Sequence, residues 1–169
     1  MADFSREQDI GKYESDIDTL LTKVRHPFGK GSLTTDGVQY SAEVTGIGQT
    51  YTEIEKITFN QPSGMTLGEI EFELNGAVGS SGATDAKLWK WQASDNGTDW
   101  QDLIAEQTNV AAAAYADVSC SGRFVPTGNF LGTGASFQVR MVVKSGGATD
   151  TAKGKTKNSS HIQAEYRRS

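Results

Sequence analysis

Residues 67–74 read LGEIEFEL and residues 136–144 read SFQVRMVVK, and these two stretches decide the fold. In both, apolar residues occupy every second position, namely Ile70, Phe72 and Leu74 in the first and Phe137, Val139, Met141 and Val143 in the second. Successive side chains of a strand point to opposite faces, so each stretch predicts a strand with one buried and one solvated face. One-sided burial of this kind is typical of antiparallel sheets.

The same alternation runs from Val38 to Tyr166, between turns rich in Gly, Asn, Asp and Ser. It predicts about eight strands, at residues 38–44, 51–59, 67–74, 87–93, 100–105, 115–125, 136–144 and 161–167. Their even spacing predicts a mainly β chain folded as an antiparallel, jelly-roll-like β-sandwich. The small-residue segment 76–84 is expected to join two strands, and the basic segment 145–160 to form a flexible loop before the last strand.

The amino-terminal segment has a different spacing, with apolar residues recurring at steps of three and four. This predicts one amphipathic α-helix over residues 6–24, capped by Ser5 and Gln8 and stopped by Pro27. The expected domain organisation is a helical anchor at 1–27, a linker at 28–37 and a sandwich at 38–169. The helix would lie on its own domain or on a neighbour, or form a short oligomeric bundle. Its candidate assembly-interface residues are Ile10, Tyr13, Ile17, Leu20 and Val24.

Charge and composition exclude several classes of binding partner from the expectations. The formal net charge is −5, which disfavours binding to the phosphate backbone of nucleic acids. No positive segment followed by an apolar one marks a secretory signal, and no apolar stretch is long enough to span a membrane, so neither is expected. Cys120 is the single cysteine, and we expect a small buried hydrophobe there.

No set of residues along the chain makes a convincing catalytic, cofactor or metal site. Glu69, Glu71 and Glu73 would stand about 7 Å apart on one strand face, close to the carboxylate separation of an inverting glycosidase. A solvated strand face often has the same pattern, and we expect that here. The two histidines, His26 and His161, are too few for a structural zinc site. We therefore expect no enzyme, no cofactor and no metal.

The aromatic cluster is more specific. Residues 88–103 read LWKWQASDNGTDWQDL and contain all three tryptophans, around a turn in which Asn and Gly favour a hairpin. The Asp-x-Gly-x-x-Trp spacing resembles a turn of discoidin-like and related carbohydrate-binding jelly rolls, and partly that of Asp-box hairpins. The resemblance covers about 16 residues and implies a β-sandwich more than a ligand. Exposed tryptophans stack on sugars and buried ones fill the core; the candidates for carbohydrate contact are Trp89, Trp91 and Trp100.

Two functions follow as expectations. In layout the chain resembles small virion structural proteins of phage and archaeal viruses, of the capsid decoration, minor capsid or head-fibre type. That resemblance implies a non-enzymatic virion component, made in the host cytoplasm, that docks on capsid or tail proteins through its helix and sandwich surface. A homo-oligomer is expected, with a trimer as one arrangement. The alternative is a carbohydrate-binding module that uses exposed tryptophans to bind a glycan.

Overall fold

The computed structural model describes residues 19–25, 28–31, 37–110, 112–127 and 136–168, with the backbone alone for 19–25 and 168. Within these residues the chain forms eleven β-strands and no helix. The strands are β1 Thr19–Arg25, β2 Val44–Ile47, β3 Thr52–Asn60, β4 Met65–Ser80, β5 Lys87–Ser94, β6 Gln101–Asp102, β7 Gln107–Asn109, β8 Ala116–Phe124, β9 Ser136–Ser145, β10 Ala152–Thr156 and β11 His161–Arg168.

The strands make two antiparallel sheets. The six-stranded sheet is organised around the 16-residue β4, whose one edge pairs with β11 and then with β10, while β8 pairs with its other edge. Beyond β11 and β10 lie β1 and β2, respectively. In the five-stranded sheet β9 lies between β3 and β5, and β6 and β7 both pair with β5. The prediction of a mainly β, antiparallel sandwich is confirmed.

The core lies between the sheets, on the faces that the alternation predicts. All apolar residues of the two decisive stretches are buried, from Ile70 to Leu74 and from Phe137 to Val143. The rings of Phe59 and Phe137 stack at 4.6 Å between centroids. Removing each such side chain from water contributes about 1.5–3 kcal/mol to stability, so the two stretches bind the sheets together.

The predicted amino-terminal helix is wrong for its last residues. Residues 19–25 form β1, which pairs in continuous antiparallel register with β11, so that Leu20 lies opposite Tyr166 and Val24 opposite Ile162. A local helical spacing is a weak preference, and here the pairing of residues 19–25 with β11 overrides it. The earlier part of the predicted helix, including Ile10, Tyr13 and Ile17, lies outside the described residues.

Two residues at the start of the predicted linker lie inside the sandwich. Phe28 is fully buried and meets Trp91 edge to face, with ring centroids 4.9 Å apart. The backbone N–H of Gly29 donates to the Glu55 carboxylate and to the Thr156 hydroxyl, and Gly29 has a φ of 68°, which favours glycine. The chain is therefore fixed to both sheets at residues 28 and 29.

The expectation of a flexible loop over 145–160 is wrong, because this segment contains β10. Sequence reasoning missed the strand since its inward positions, Ala152, Gly154 and Thr156, carry little apolar signal. They are small because the sheets approach closely there: a Cβ on Gly154 would lie 2.8 Å from Cδ1 of Ile54. The outward positions carry Lys153 and Lys155, so the alternation was present in the sequence as lysines rather than as apolar residues.

A short repeated motif connects the sheets twice. Residues 80–85 read SSGATD and residues 145–150 read SGGATD. The first motif leads from β4 into β5 of the other sheet, and the second leads from β9 into β10 in the opposite direction. The two loops lie against each other, with the N–H of Ser81 donating to the carbonyl oxygen of Thr151 at 2.8 Å. The expected join over 76–84 is thus shorter than predicted, since β4 extends to Ser80.

Candidate functional site

Two of the three tryptophans proposed as carbohydrate contacts belong to the core. Trp89 is 5% exposed and Trp91 is 0% exposed, both on the inner face of β5. The Trp89 indole N–H donates to the side-chain oxygen of Asn109 at 2.7 Å. A ring enclosed between two sheets has no face available to a ligand in solution. The carbohydrate assignment is therefore corrected for these two residues.

Trp100 is the tryptophan that reaches the surface. It follows the predicted hairpin turn, which the structure contains: β5 and β6 pair, and Asn96 Oδ1 accepts from the N–H groups of Thr98 and Asp99, both at 2.8 Å. Gly97 has the left-handed φ, 76°, that this turn requires. The Trp100 indole N–H donates to the Gly97 carbonyl oxygen at 3.2 Å, which holds the ring beside the sheet.

Trp100 belongs to a connected set of side chains on the outer face of the five-stranded sheet, which we call the aromatic face. The Arg140 guanidinium lies 3.6 Å from the Trp100 ring centroid, and its Nε and Nη2 donate to Gln92 Oε1 at 3.1 and 2.9 Å. Gln92 in turn donates to Asp102, which forms an ion pair with Lys90 at 2.9 Å. Alternating donors and acceptors fix these groups in place without a ligand.

Tyr51 completes the aromatic face. The ammonium groups of Lys90 and Lys144 lie 4.8 and 4.5 Å from its ring centroid, within the range of cation–π attraction. Its hydroxyl donates to Glu106. Burial, followed by the Glu106 hydrogen bond and charge, raises the pKa of Tyr51, while the same hydrogen bond and Lys144 lower the pKa of Glu106. The face thus combines aromatic rings with paired charges of both signs.

The six-stranded sheet carries a second aromatic and cationic group on its outer face. The Lys155 ammonium lies between the rings of Tyr40 and Tyr115, 4.0 and 4.3 Å from their centroids. Lys153 lies 4.8 Å from the Tyr115 centroid, and Lys157 forms an ion pair with Asp117 at 2.6 Å. Sequence reasoning missed this group because it treated its lysines as part of a loop.

The glutamate row is on the solvated face of β4, as expected. Glu69 forms an ion pair with Arg123 at 2.9 Å, and Glu73 lies 3.5 Å from Nδ1 of His161. Glu71 is exposed. Among the residues that the structure describes, no three His, Cys, Asp or Glu side chains are grouped so as to hold a metal ion. In the same residues no helix is long and apolar enough to cross a bilayer.

Apolar residues precede β8 in the sequence, and we call those that the structure describes, Val110 and residues 112–114, the alanine loop. Val110 is 85% exposed, and Ala113 and Ala114 are also exposed. The backbone is held from below: the buried Lys87 ammonium donates to the carbonyl oxygens of Val110 and Ala112, and the N–H of Ser80 donates to Ala112 at 3.2 Å. A second exposed apolar residue, Val125, 56% exposed, follows β8. Exposed apolar side chains grouped on a backbone that hydrogen bonds hold in place are suited to contact with another protein surface.

Comparison with known proteins finds similarity to solved structures and to no protein family. No family model matches the chain, and no curated protein matches it significantly. Among solved structures, a chain of the infectious bursal disease virus Gt strain matches with a TM-score of 0.47 and 6% identity, over 89% of this chain and 38% of that one. This protein therefore spans little more than a third of the viral chain.

Two carbohydrate-binding structures are also similar. TmCBM61 in complex with β-1,4-galactotriose matches with a TM-score of 0.34 and 11% identity, over 82% of this chain and 95% of that one. The CBM22-1–GH10 modules of a Clostridium thermocellum xylanase, complexed with xylohexaose, match with a TM-score of 0.38 and 16% identity, over 90% of this chain and 25% of that one. None of these likenesses assigns a ligand to this chain.

Proposed function

We propose that this protein is a non-enzymatic structural component of a virion or a similar large assembly, and that it docks on other protein subunits. The observation that carries the proposal is the alanine loop, which presents apolar side chains on a backbone fixed by Lys87 and Ser80. A backbone that hydrogen bonds already hold at Val110 and Ala112 loses little conformational entropy there on binding, so the apolar side chains contribute to affinity at a small ordering cost. Capsid or tail proteins are the proposed partners.

The direct test is a single charge in the alanine loop. Val110→Asp should abolish incorporation into the particle with which the protein co-purifies, because it puts a carboxylate into an apolar contact. The urea midpoint should not change, since the side chain is 85% exposed. Thr108→Asp adds the same charge at an exposed position on β7 and should incorporate normally. Equal incorporation of both variants would reject the alanine loop as the docking element.

A deletion tests the proposed amino-terminal anchor. Removing residues 1–18 takes away Ile10, Tyr13 and Ile17 but leaves β1, which begins at Thr19, in its sheet. A deletion of residues 1–26 would also remove β1. A loss of incorporation could then result either from lost docking or from misfolding. The variant that lacks residues 1–18 should fold but should fail to incorporate into the particle. Normal incorporation of this variant would show that the anchor is dispensable.

A separate observation would overturn the non-enzymatic assignment, namely turnover of a substrate that is lost when Glu69, Glu71 or Glu73 is altered.

A second candidate function is glycan binding on the aromatic face. The observation in its favour is that Trp100 lies at the surface within a fixed network of hydrogen-bonding groups, Arg140, Gln92 and Asp102. Sugars are bound in proteins by aromatic rings together with such polar groups. In a glycan array, binding should persist after deletion of residues 1–18 and disappear in Trp100→Ala. No binding by the intact protein would eliminate this candidate and leave the docking proposal in place.

A further inference from the structure

Among the described strands, β8 is a regular strand at the edge of its sheet. Its nine residues pair with β4 without a register shift, from Val78 opposite Ala116 to Ile70 opposite Phe124, and no other described strand pairs with it. By contrast β3, which pairs with β9 alone among the described strands, has a register shift between Glu53 and Glu55. Edge strands that avoid partners are usually interrupted by bulges or prolines. β8 has neither, and no described strand pairs with the outer edge of residues 116–123, so this part of the edge can serve as a template for another strand.

The charges on β8 are self-complementary. Its solvent-facing residues are Asp117, Ser119, Ser121 and Arg123, all exposed. When two copies pair antiparallel about Cys120, Asp117 lies opposite the partner subunit's Arg123, and Ser119 lies opposite the partner subunit's Ser121. Opposite charges at facing positions stabilise a sheet pair. A shift of the two-fold axis by one residue in either direction separates both charge pairs, so the charges select one register.

The neighbouring ion pairs extend this pattern. Within one chain Arg123 contacts Glu69 at 2.9 Å, and Asp117 contacts Lys157 at 2.6 Å. Pairing two β8 strands would join these into a row of alternating charge, running from Glu69 through Arg123 to the partner's Asp117 and the partner's Lys157. On the inner face Val118 would lie opposite the partner's Gly122, a larger side chain beside a smaller one.

We propose that the protein forms a two-fold dimer by antiparallel pairing of β8 with β8 of a second copy, centred on Cys120. The two six-stranded sheets then become one continuous sheet. An isologous contact of this kind closes on itself and stops at two copies. The partner in this dimer is a second copy of the chain, so the dimer does not depend on the proposed function. A dimer that never enters a particle would reject that function alone.

Charge reversal tests the interface. Sedimentation of the full chain should give a species of twice 18.1 kDa that dissociates on dilution. Asp117→Arg and Arg123→Asp should each weaken self-association at least about tenfold, because two like-charge pairs form per dimer. The double variant again places opposite charges across the two-fold axis and should associate more tightly than either single variant, although its contacts with Glu69 and Lys157 within each chain become like-charged. Lys56→Asp, an exposed reversal on β3, should leave self-association unchanged. A wild-type monomer at every concentration, or a dimer indifferent to both single reversals, would overturn the proposal.

Engineered cysteines test the register, in a Cys120→Ala background. Facing residues of an antiparallel pair have Cα atoms about 4.5–5.5 Å apart, a separation that a disulfide can bridge. A mixture of Ser119→Cys and Ser121→Cys proteins should therefore form a disulfide-linked heterodimer under mild oxidation. Ser119→Cys alone, the matched control, should cross-link poorly since its cysteines are offset along the strands. Equal cross-linking in the control would reject the register centred on Cys120.

Discussion

The carboxylates of Asp85 and Asp150 each bind the backbone of the other's loop. Asp85 Oδ2 accepts from the N–H groups of Thr149 and Asp150 at 2.7 and 2.8 Å, and Asp150 Oδ2 accepts from those of Thr84 and Asp85 at 2.6 and 3.0 Å. The arrangement is reciprocal because both residues end a copy of the same motif. It joins the two sheets at the points where the chain crosses between them.

We expect the two aspartates to stabilise the fold as a unit. Asp85→Ala and Asp150→Ala should each lower the free energy of unfolding by about 2 kcal/mol, since each removes two charge-assisted hydrogen bonds. The double variant should lose less than the sum, because either change loosens both loops. Urea unfolding measures all three, and Asp99→Ala, an exposed turn residue, serves as the control. Strict additivity would contradict the reciprocal arrangement.

The glycines of the motif make room for the opposite carboxylate. A Cβ on Gly82 would lie 2.2 Å from Oδ1 of Asp150, and one on Gly147 would lie 2.2 Å from Oδ1 of Asp85. Gly82→Ala should therefore destabilise the protein by about 1–3 kcal/mol through overpacking. In an Asp150→Ala background the same substitution should cost much less. Gly48→Ala, which meets nothing within 4 Å, is the matched control and should be close to neutral.

Stability should depend on pH through Lys87. Burial lowers the pKa of this lysine from its usual value, with Asp150 opposing the shift. The folded protein therefore releases the proton at lower pH than the unfolded chain, which binds more protons in the interval up to about pH 10.5. Across that interval the stability of the wild type should rise with pH relative to Lys87→Met. Urea unfolding between pH 7 and 11 tests this, with Lys56→Met as the exposed control; parallel curves would contradict it.

Cys120 should react slowly with alkylating agents. Its side chain is half-buried, and burial raises the pKa of the thiol to about 12, with a hydrogen bond to the Leu74 backbone acting in the opposite direction. Since the thiolate is the reactive form, labelling by iodoacetamide at pH 8 should be at least roughly a hundredfold slower than for an unfolded chain. Mass spectrometry follows the reaction with and without urea. Equal rates in the two conditions would show that the thiol is accessible.

Much of the sandwich could be predicted from local pattern. Ile70, Phe72 and Leu74 lie inward, as their spacing requires, and the turn at Asn96 and Gly97 forms the predicted hairpin. The site was harder to predict. Which of three tryptophans reaches the surface depends on the position of β5 in its sheet, and the alanine loop becomes a presented surface only through the buried ammonium of Lys87.

The sequence by itself determined which residues alternate between core and solvent, because the two-residue period of a strand is written directly into the chain. The tertiary structure decided which segments pair with one another in the sheets. Thr19–Arg25 has a helical spacing and yet pairs with β11, and Ala152–Thr156 lacks an apolar face and yet pairs with β4. Backbone hydrogen bonds to a strand distant in sequence carry no local signature, and in these two segments they outweigh the local preference. For the same reason the structural role of the repeated motif, residues 80–85 and 145–150, is visible only in the folded protein. There Asp85 and Asp150 each bind the backbone of the other loop and join the two sheets.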